Sequence, residues 1–159
     1  MSLEPNGTTQ PSHQPQVVDF KKKPTIIPAR AIKKFHKFPD GTGGHGDVWM
    51  CSWRLTTPLR EKTWKCKVAV KSIRIPQSDD IELVERFGKI IGHNVHVWID
   101  LDHDNILKFL GIVEGFGALP ALVSPWMENG SLDSYLRRHT VSEVEALRMC
   151  TTKEWFTVI

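Results

Sequence analysis

The chain has 159 residues, of which 40% are hydrophobic and 25% charged, with a formal net charge of +3. These values suit one globular domain with a modest core, and the charge is too small to imply a nucleic-acid or membrane partner. No apolar run approaches the roughly 18 residues of a membrane-spanning helix. Three cysteines, Cys51, Cys66 and Cys150, are odd in number and lack metal-ligand spacing, which fits buried thiols in a reducing compartment. Met1 to Asn6 has neither a basic start nor an apolar run, so the reading is no signal peptide and a cytoplasmic setting.

Residues 1–31 form a basic N-terminal arm, its first part rich in Pro, Gln, Ser, Thr and Asn. It has too few bulky apolar groups to offset its ordering entropy, so disorder is expected. Lys21, Lys22, Lys23, Arg30, Lys33, Lys34 and Lys37 make this stretch basic; a solvated tail is the preferred reading, and contact with an acidic partner or nucleic acid the alternative. The folded part is expected from about Ile32, with Phe35-His36-Lys37-Phe38 as a first strand.

Next comes Gly41-Thr42-Gly43-Gly44-His45-Gly46-Asp47-Val48. Glycines at G-x-G-x-x-G spacing let the main chain approach a phosphate closely. A dinucleotide fingerprint would open a helix here, but Val48 to Trp53 is β-branched, aromatic and strand-like. A Walker A loop would need Lys after its last glycine, where Asp47 stands. After a polar connection from Leu55 to Lys65, Lys67 to Ile75 is a third strand. Alternation puts Ala69, Lys71 and Ile73 on one face and Val68, Val70 and Ser72 on the other.

Ser78 or Asp79 caps a helix expected from about Asp80 to Ile99. Its apolar stripe is Ile81, Val84, Phe87, Ile91, Val95 and Trp98. Asn94 falls within that stripe, where an amide needs a partner. Leu107 to Val113 and Ala121 to Trp126 are two further strands joined by a glycine-rich turn. Gly130 permits a turn into a short helix, Ser131 to His139. Ser142-Glu143-Val144-Glu145 is a capping box that opens another, and residues 151–159 form a tail.

A glycine loop between two strands, then Val68-Ala69-Val70-Lys71 on a third, resembles the nucleotide lobe of a protein kinase domain, closest to the tyrosine-kinase-like group. Ser124-Pro125-Trp126-Met127-Glu128-Asn129-Gly130-Ser131-Leu132 likewise resembles the kinase hinge. The resemblance covers about residues 32–150. It implies an α+β fold: a five-stranded antiparallel sheet with one long helix, followed by two short helices of a truncated C-lobe. It also implies an ATP site. Gly41, Thr42, Gly43, Gly44 and Gly46 would cover the phosphates, and Lys71 would contact them. Val48 and Ala69 would sandwich the adenine, and Ser124 would be the gatekeeper. The Pro125 carbonyl and Met127 amide would read the adenine edge, and Ser131 belongs to the same nucleotide-binding set.

The family's helix carries a Glu that pairs with the strand lysine. Counting nine back from His103, in His103-Asp104-Asn105-Ile106, reaches Asn94, and so does counting four back from Trp98. A neutral amide cannot replace that charge-assisted pair. No His-Arg-Asp, Asp-Phe-Gly or Ala-Pro-Glu motif occurs in the 159 residues. The chain therefore reads as a truncated protein kinase domain, whose complete relative would move the γ-phosphoryl of ATP to a protein Ser, Thr or Tyr. The alternative is an inactive pseudokinase-type binding module or scaffold. Partners implied are ATP and a protein, without membrane or nucleic acid. No metal ligands are assigned: His93, His96 and His103 lack a cysteine or a strong fourth ligand.

Overall fold

The computed structural model describes residues 22–43, 46–56, 63–76 and 79–150. The expectations for residues 1–21, Gly44, Ser78, most of the Leu55–Lys65 connection and the tail at 151–159 lie outside these. The class is α+β. In chain order come β1 (Ile26–Ile27), a 3-10 turn (Ala29–Ala31), β2 (Ile32–Lys34), β3 (Gly41–Gly43), β4 (Gly46–Thr56) and β5 (Thr63–Ile73). Then follow α1 (Ile81–Asp100), β6 (Gly111–Val113), β7 (Ala121–Pro125), α2 (Leu132–Arg138) and α3 (Glu143–Cys150).

The strands form one sheet in the order β1-β6-β7-β5-β4-β2, with β3 also paired to β4. β4 and β5 run into the expected Leu55–Lys65 connection and β6 starts at Gly111 instead of Leu107; in strand number and pairing the sheet differs from the expected five antiparallel strands in two places. The first strand is broken into β2 and β3, because the chain at Phe35 to Phe38 bends off the sheet. Asp40 supports the break: its carboxylate accepts from the Met50 amide at 2.6 Å and lies 2.6 Å from the His36 ring nitrogen. A side chain thus replaces the ladder partner that a continuous strand would have supplied. The second difference is β1, which pairs in parallel with β6 and makes the sheet mixed.

β1 begins before the sequence-based boundary at Ile32, and its position explains the curl of the sheet. β1 and β2 occupy opposite edges. A flat sheet of six strands would separate its edges by about 24 Å, at about 4.8 Å per strand. The chain from Ile27 to Ile32 reaches at most about 18 Å. The sheet must therefore curl toward closure. Inside the curl lie Ile27, Ile32, Cys51, Val68, Val70, Val113, Ala121 and Val123, flanked by Trp49, Trp53, Leu110 and Phe116. Burial pushes the Cys51 thiol up to about 11, so it behaves as a small apolar side chain. Gly111 makes the edge possible. Its φ is +148°, and a Cβ there would stand 2.3 Å from the Thr25 carbonyl oxygen, which accepts from the Ile112 amide at 2.9 Å.

Alternation along β5 follows the sequence, with Val68, Val70 and Ser72 buried and Lys71 half-buried on the other face. α1 starts one or two residues later than expected: Asp80 is its cap and accepts from the Leu83 amide at 3.0 Å. Replacing Asp80 with Ala should cost about 1 kcal/mol, read as a lower urea midpoint with unchanged slope. The buried stripe of α1 is narrower than the sequence suggested. Ile91 and Val95 are buried, whereas Ile81 is 76% exposed and Asn94 is exposed. The far end of α1 is held by Trp98, whose indole N–H donates to the Leu107 carbonyl at 2.7 Å and whose ring lies 5.2 Å from that of Phe109. Ser131 and Ser142 accept from the Ser134 and Glu145 amides at the starts of α2 and α3, each at 3.2 Å.

Candidate functional site

β3 and β4 form a tight hairpin, with Gly41 opposite Val48 and Gly43 opposite Gly46. Gly46 is required by close approach: a Cβ there would stand 2.1 Å from the Ser72 carbonyl oxygen of β5. The hairpin is fixed by Asp47, which accepts from the Thr42 hydroxyl at 3.2 Å and from Arg74 at 2.5 Å. Arg74 lies just past the end of β5, so the glycine segment is tied to the strand that carries Lys71.

Register then assembles the floor. Val48 sits opposite Lys71 and Met50 opposite Ala69, while Ala69 sits opposite Ser124. Ala69 is 6% exposed and Ser124 3%, so two small side chains leave a shallow recess between the hairpin and β7. After β7 the Trp126 amide extends the ladder with β5, donating to the Lys67 carbonyl at 3.3 Å, and the chain then turns, the Gly130 amide donating to the Met127 carbonyl at 3.1 Å.

The result is one cleft of about 860 Å³, within the usual size range of small-molecule sites. Gly41, Thr42, Gly43, Gly46 and Val48 line one wall, and Ala69 and Lys71 line the base. Pro125, Met127 and Ser131 line the opposite side. Burial lowers the Lys71 pKa from its ordinary 10.5, since a half-desolvated ammonium is disfavoured. A cation at the base, backbone amides under a glycine hairpin and an apolar recess can together hold a phosphorylated aromatic ligand.

Ten of the residues expected from the sequence thus border a single cleft. Ser124 backs it without lining it, and Gly44 lies outside the described residues. Asn94 is not on its wall; it is exposed on α1. Trp126, Glu128 and Gly130 of the hinge-like stretch also line the cleft, as do Asp40, Ser134, Arg137 and Arg138, which were not singled out. Helical spacing could have found three of them. Ser134 lies three residues after Ser131, and Arg137 and Arg138 lie three and four after Ser134; Arg138 donates to the Ser134 and Asn129 carbonyls at 2.9 and 3.2 Å. Among the described residues, no three of His, Cys, Asp or Glu gather as a metal site, and no helix is long and apolar enough to cross a membrane.

A curled sheet, one long helix, a glycine hairpin and a turn-forming connection define a nucleotide-lobe architecture of the protein kinase type. A family model described as protein tyrosine and serine/threonine kinase matches residues 39–156, and the chain belongs to that family. It is 32% identical over 130 residues to tyrosine-protein kinase JAK1 of Danio rerio, covering 81% of this chain and 10% of that protein. It is 32% identical over 99 residues to human ephrin type-A receptor 8, covering 62% of this chain and 9% of the receptor. Ephrin type-A receptor 3 of Danio rerio is 31% identical over 99 residues, again 62% of this chain and 9% of that protein. The chain spans about a tenth of the length of these curated relatives.

Proposed function

We propose that this chain supplies the ATP-holding lobe of a protein kinase domain acting in the cytoplasm. The observation that carries the reading is the gathering of the glycine hairpin, Lys71 and the Pro125–Met127 segment around one cleft. In this reading the hairpin amides and the Lys71 ammonium meet the phosphates. Val48 and Ala69 hold the adenine faces, and the Pro125 carbonyl and Met127 amide take its polar edge. Ser131 stands at the rim on the far side. The reaction of a whole domain would pass the γ-phosphoryl to a protein hydroxyl, so a protein substrate is the second partner. ATP enters such sites with Mg²⁺, but the family's magnesium-holding residues, the Asp of Asp-Phe-Gly and the catalytic-loop Asn, do not occur in the 159 residues.

An inactive binding module is the second reading, favoured by one observation. At the helix position where the family places its lysine-pairing Glu, this chain has Asn94, a neutral amide exposed on α1. Both readings use the same nucleotide site.

Amide NMR during an adenosine titration tests that site. Shifts should concentrate at Gly41–Val48, Ala69–Lys71 and Trp126–Met127. Shifts spread over α1 or the β1 edge instead, with these amides unmoved, would overturn the assignment.

A further inference from the structure

The sheet face that carries Val48, Ala69 and Lys71 continues away from the hairpin, and its next rows are basic. Register places Lys33 opposite Ser52, Ser52 opposite Lys67 and Arg54 opposite Lys65. Alternation puts all of these on one face. Two cations directly opposite each other, as Arg54 and Lys65 are, repel and cost stability. Among the described residues no carboxylate pairs with Lys33, Arg54 or Lys65. Four of these residues, Lys33, Ser52, Lys65 and Lys67, border a groove of about 410 Å³, with Phe35 as an apolar wall.

A carboxylate is already seated at the groove's edge. Glu128, which follows β7, places Oε1 2.6 Å from the Lys67 Nζ, both side chains being mostly exposed. The lysine holds that carboxyl below the usual carboxylate range.

We propose that this groove docks an extended acidic segment of a protein partner. The two basic rows lie two residues apart along β4, about 6.8 Å. Alternate side chains of an extended peptide have the same spacing, so successive carboxylates meet the Lys33–Lys67 row and then the Arg54–Lys65 row. Bound carboxylates relieve the Arg54–Lys65 repulsion and give the partner an electrostatically steered approach. The groove's concavity favours a peptide: a bilayer surface or a duplex would rest on its rim and leave Ser52 and Phe35 uncovered. The site is separate from the nucleotide cleft except at Glu128, which lines the cleft and occupies Lys67.

The test is fluorescence anisotropy of the full chain with a labelled Ser-Glu repeat peptide and its Ser-Gln counterpart. Saturable binding of the acidic peptide alone is expected, weakening as salt rises. Lys33→Gln with Lys65→Gln should weaken it about tenfold, as expected for removing two partner-facing charges. Arg54→Gln should also weaken it, an independent reading should the double variant fail to fold. Lys89→Gln with Lys108→Gln, both exposed and elsewhere, should leave it unchanged, and Glu128→Gln should tighten it by freeing Lys67. Equal binding of the Gln peptide, equal loss in the control pair, or lysine-dependent displacement by a single-stranded oligonucleotide or phosphatidylserine vesicles would overturn the proposal.

Discussion

Ile27→Ala should destabilise the chain by about 2–5 kcal/mol, the range for removing a large buried aliphatic side chain. Against a typical domain stability of about 5–15 kcal/mol, that is enough to threaten cooperative folding. Ile27 is 2% exposed and belongs to the core inside the curled sheet. Its neighbour Ile26 is 69% exposed, so Ile26→Ala should change stability by no more than about 0.5 kcal/mol. The two variants share a strand, a residue type and a backbone, which isolates burial as the cause. A polypeptide cut to residues 32–159 should lose more still, because it gives up β1 as well as Ile27. The family match starts at residue 39, so a boundary chosen from it would remove the strand that closes the edge. Urea unfolding followed by tryptophan fluorescence reads all three. Equal, small effects of Ile26→Ala and Ile27→Ala would show that β1 does not close the core.

Lys71→Met should separate folding from binding. Burial lowers the Lys71 pKa, so the folded state disfavours its charge, and losing the ammonium should leave the melting temperature equal or higher. Nucleotide affinity should fall at least about tenfold, as expected for removing a charge-assisted contact to phosphate. The pH dependence gives an independent check. With the folded pKa lowered below 10.5, the unfolded chain holds the Lys71 proton to higher pH than the folded chain does. The stability contribution of Lys71 therefore rises as pH climbs through the folded pKa toward 10.5. Lys71→Met should flatten that rise, and an unchanged pH profile would contradict it.

The parts of the site written in local sequence were legible. Glycine spacing followed by a β-branched strand placed the hairpin, and alternation along Val68 to Lys71 placed the lysine on the cleft face. What could not be read depends on distant pairing. Ile26–Ile27 is too short to show a period, and its partner Gly111–Val113 lies far along the chain. Only the tertiary closure of the sheet turns that dipeptide into a strand. The break at Phe35 to Phe38 escaped for a related reason. Aromatic residues favoured a strand, but the Asp40 carboxylate offers the Met50 amide an alternative partner, and the chain bends. Asn94 shows the limit of counting. Position counts place it at the family's Glu, yet it lies about 100° around the helix from Val95, and α1 buries Ile91 and Val95 while leaving the amide exposed.

The most direct measurement is calorimetric titration of ATP into the full chain, with and without Mg²⁺, alongside Lys71→Met. The expected result is weak single-site binding, with Kd on the order of 0.1–1 mM, equivalent to about −4 to −5.5 kcal/mol. Mg²⁺ should change it little, because the 159 residues lack the family's magnesium motifs. Lys71→Met should reduce it to the limit of detection. No heat of binding from the wild-type chain, or an affinity unaffected by Lys71→Met, would contradict the nucleotide site; a tight, Mg²⁺-dependent affinity would contradict the assignment of a lobe without metal ligands.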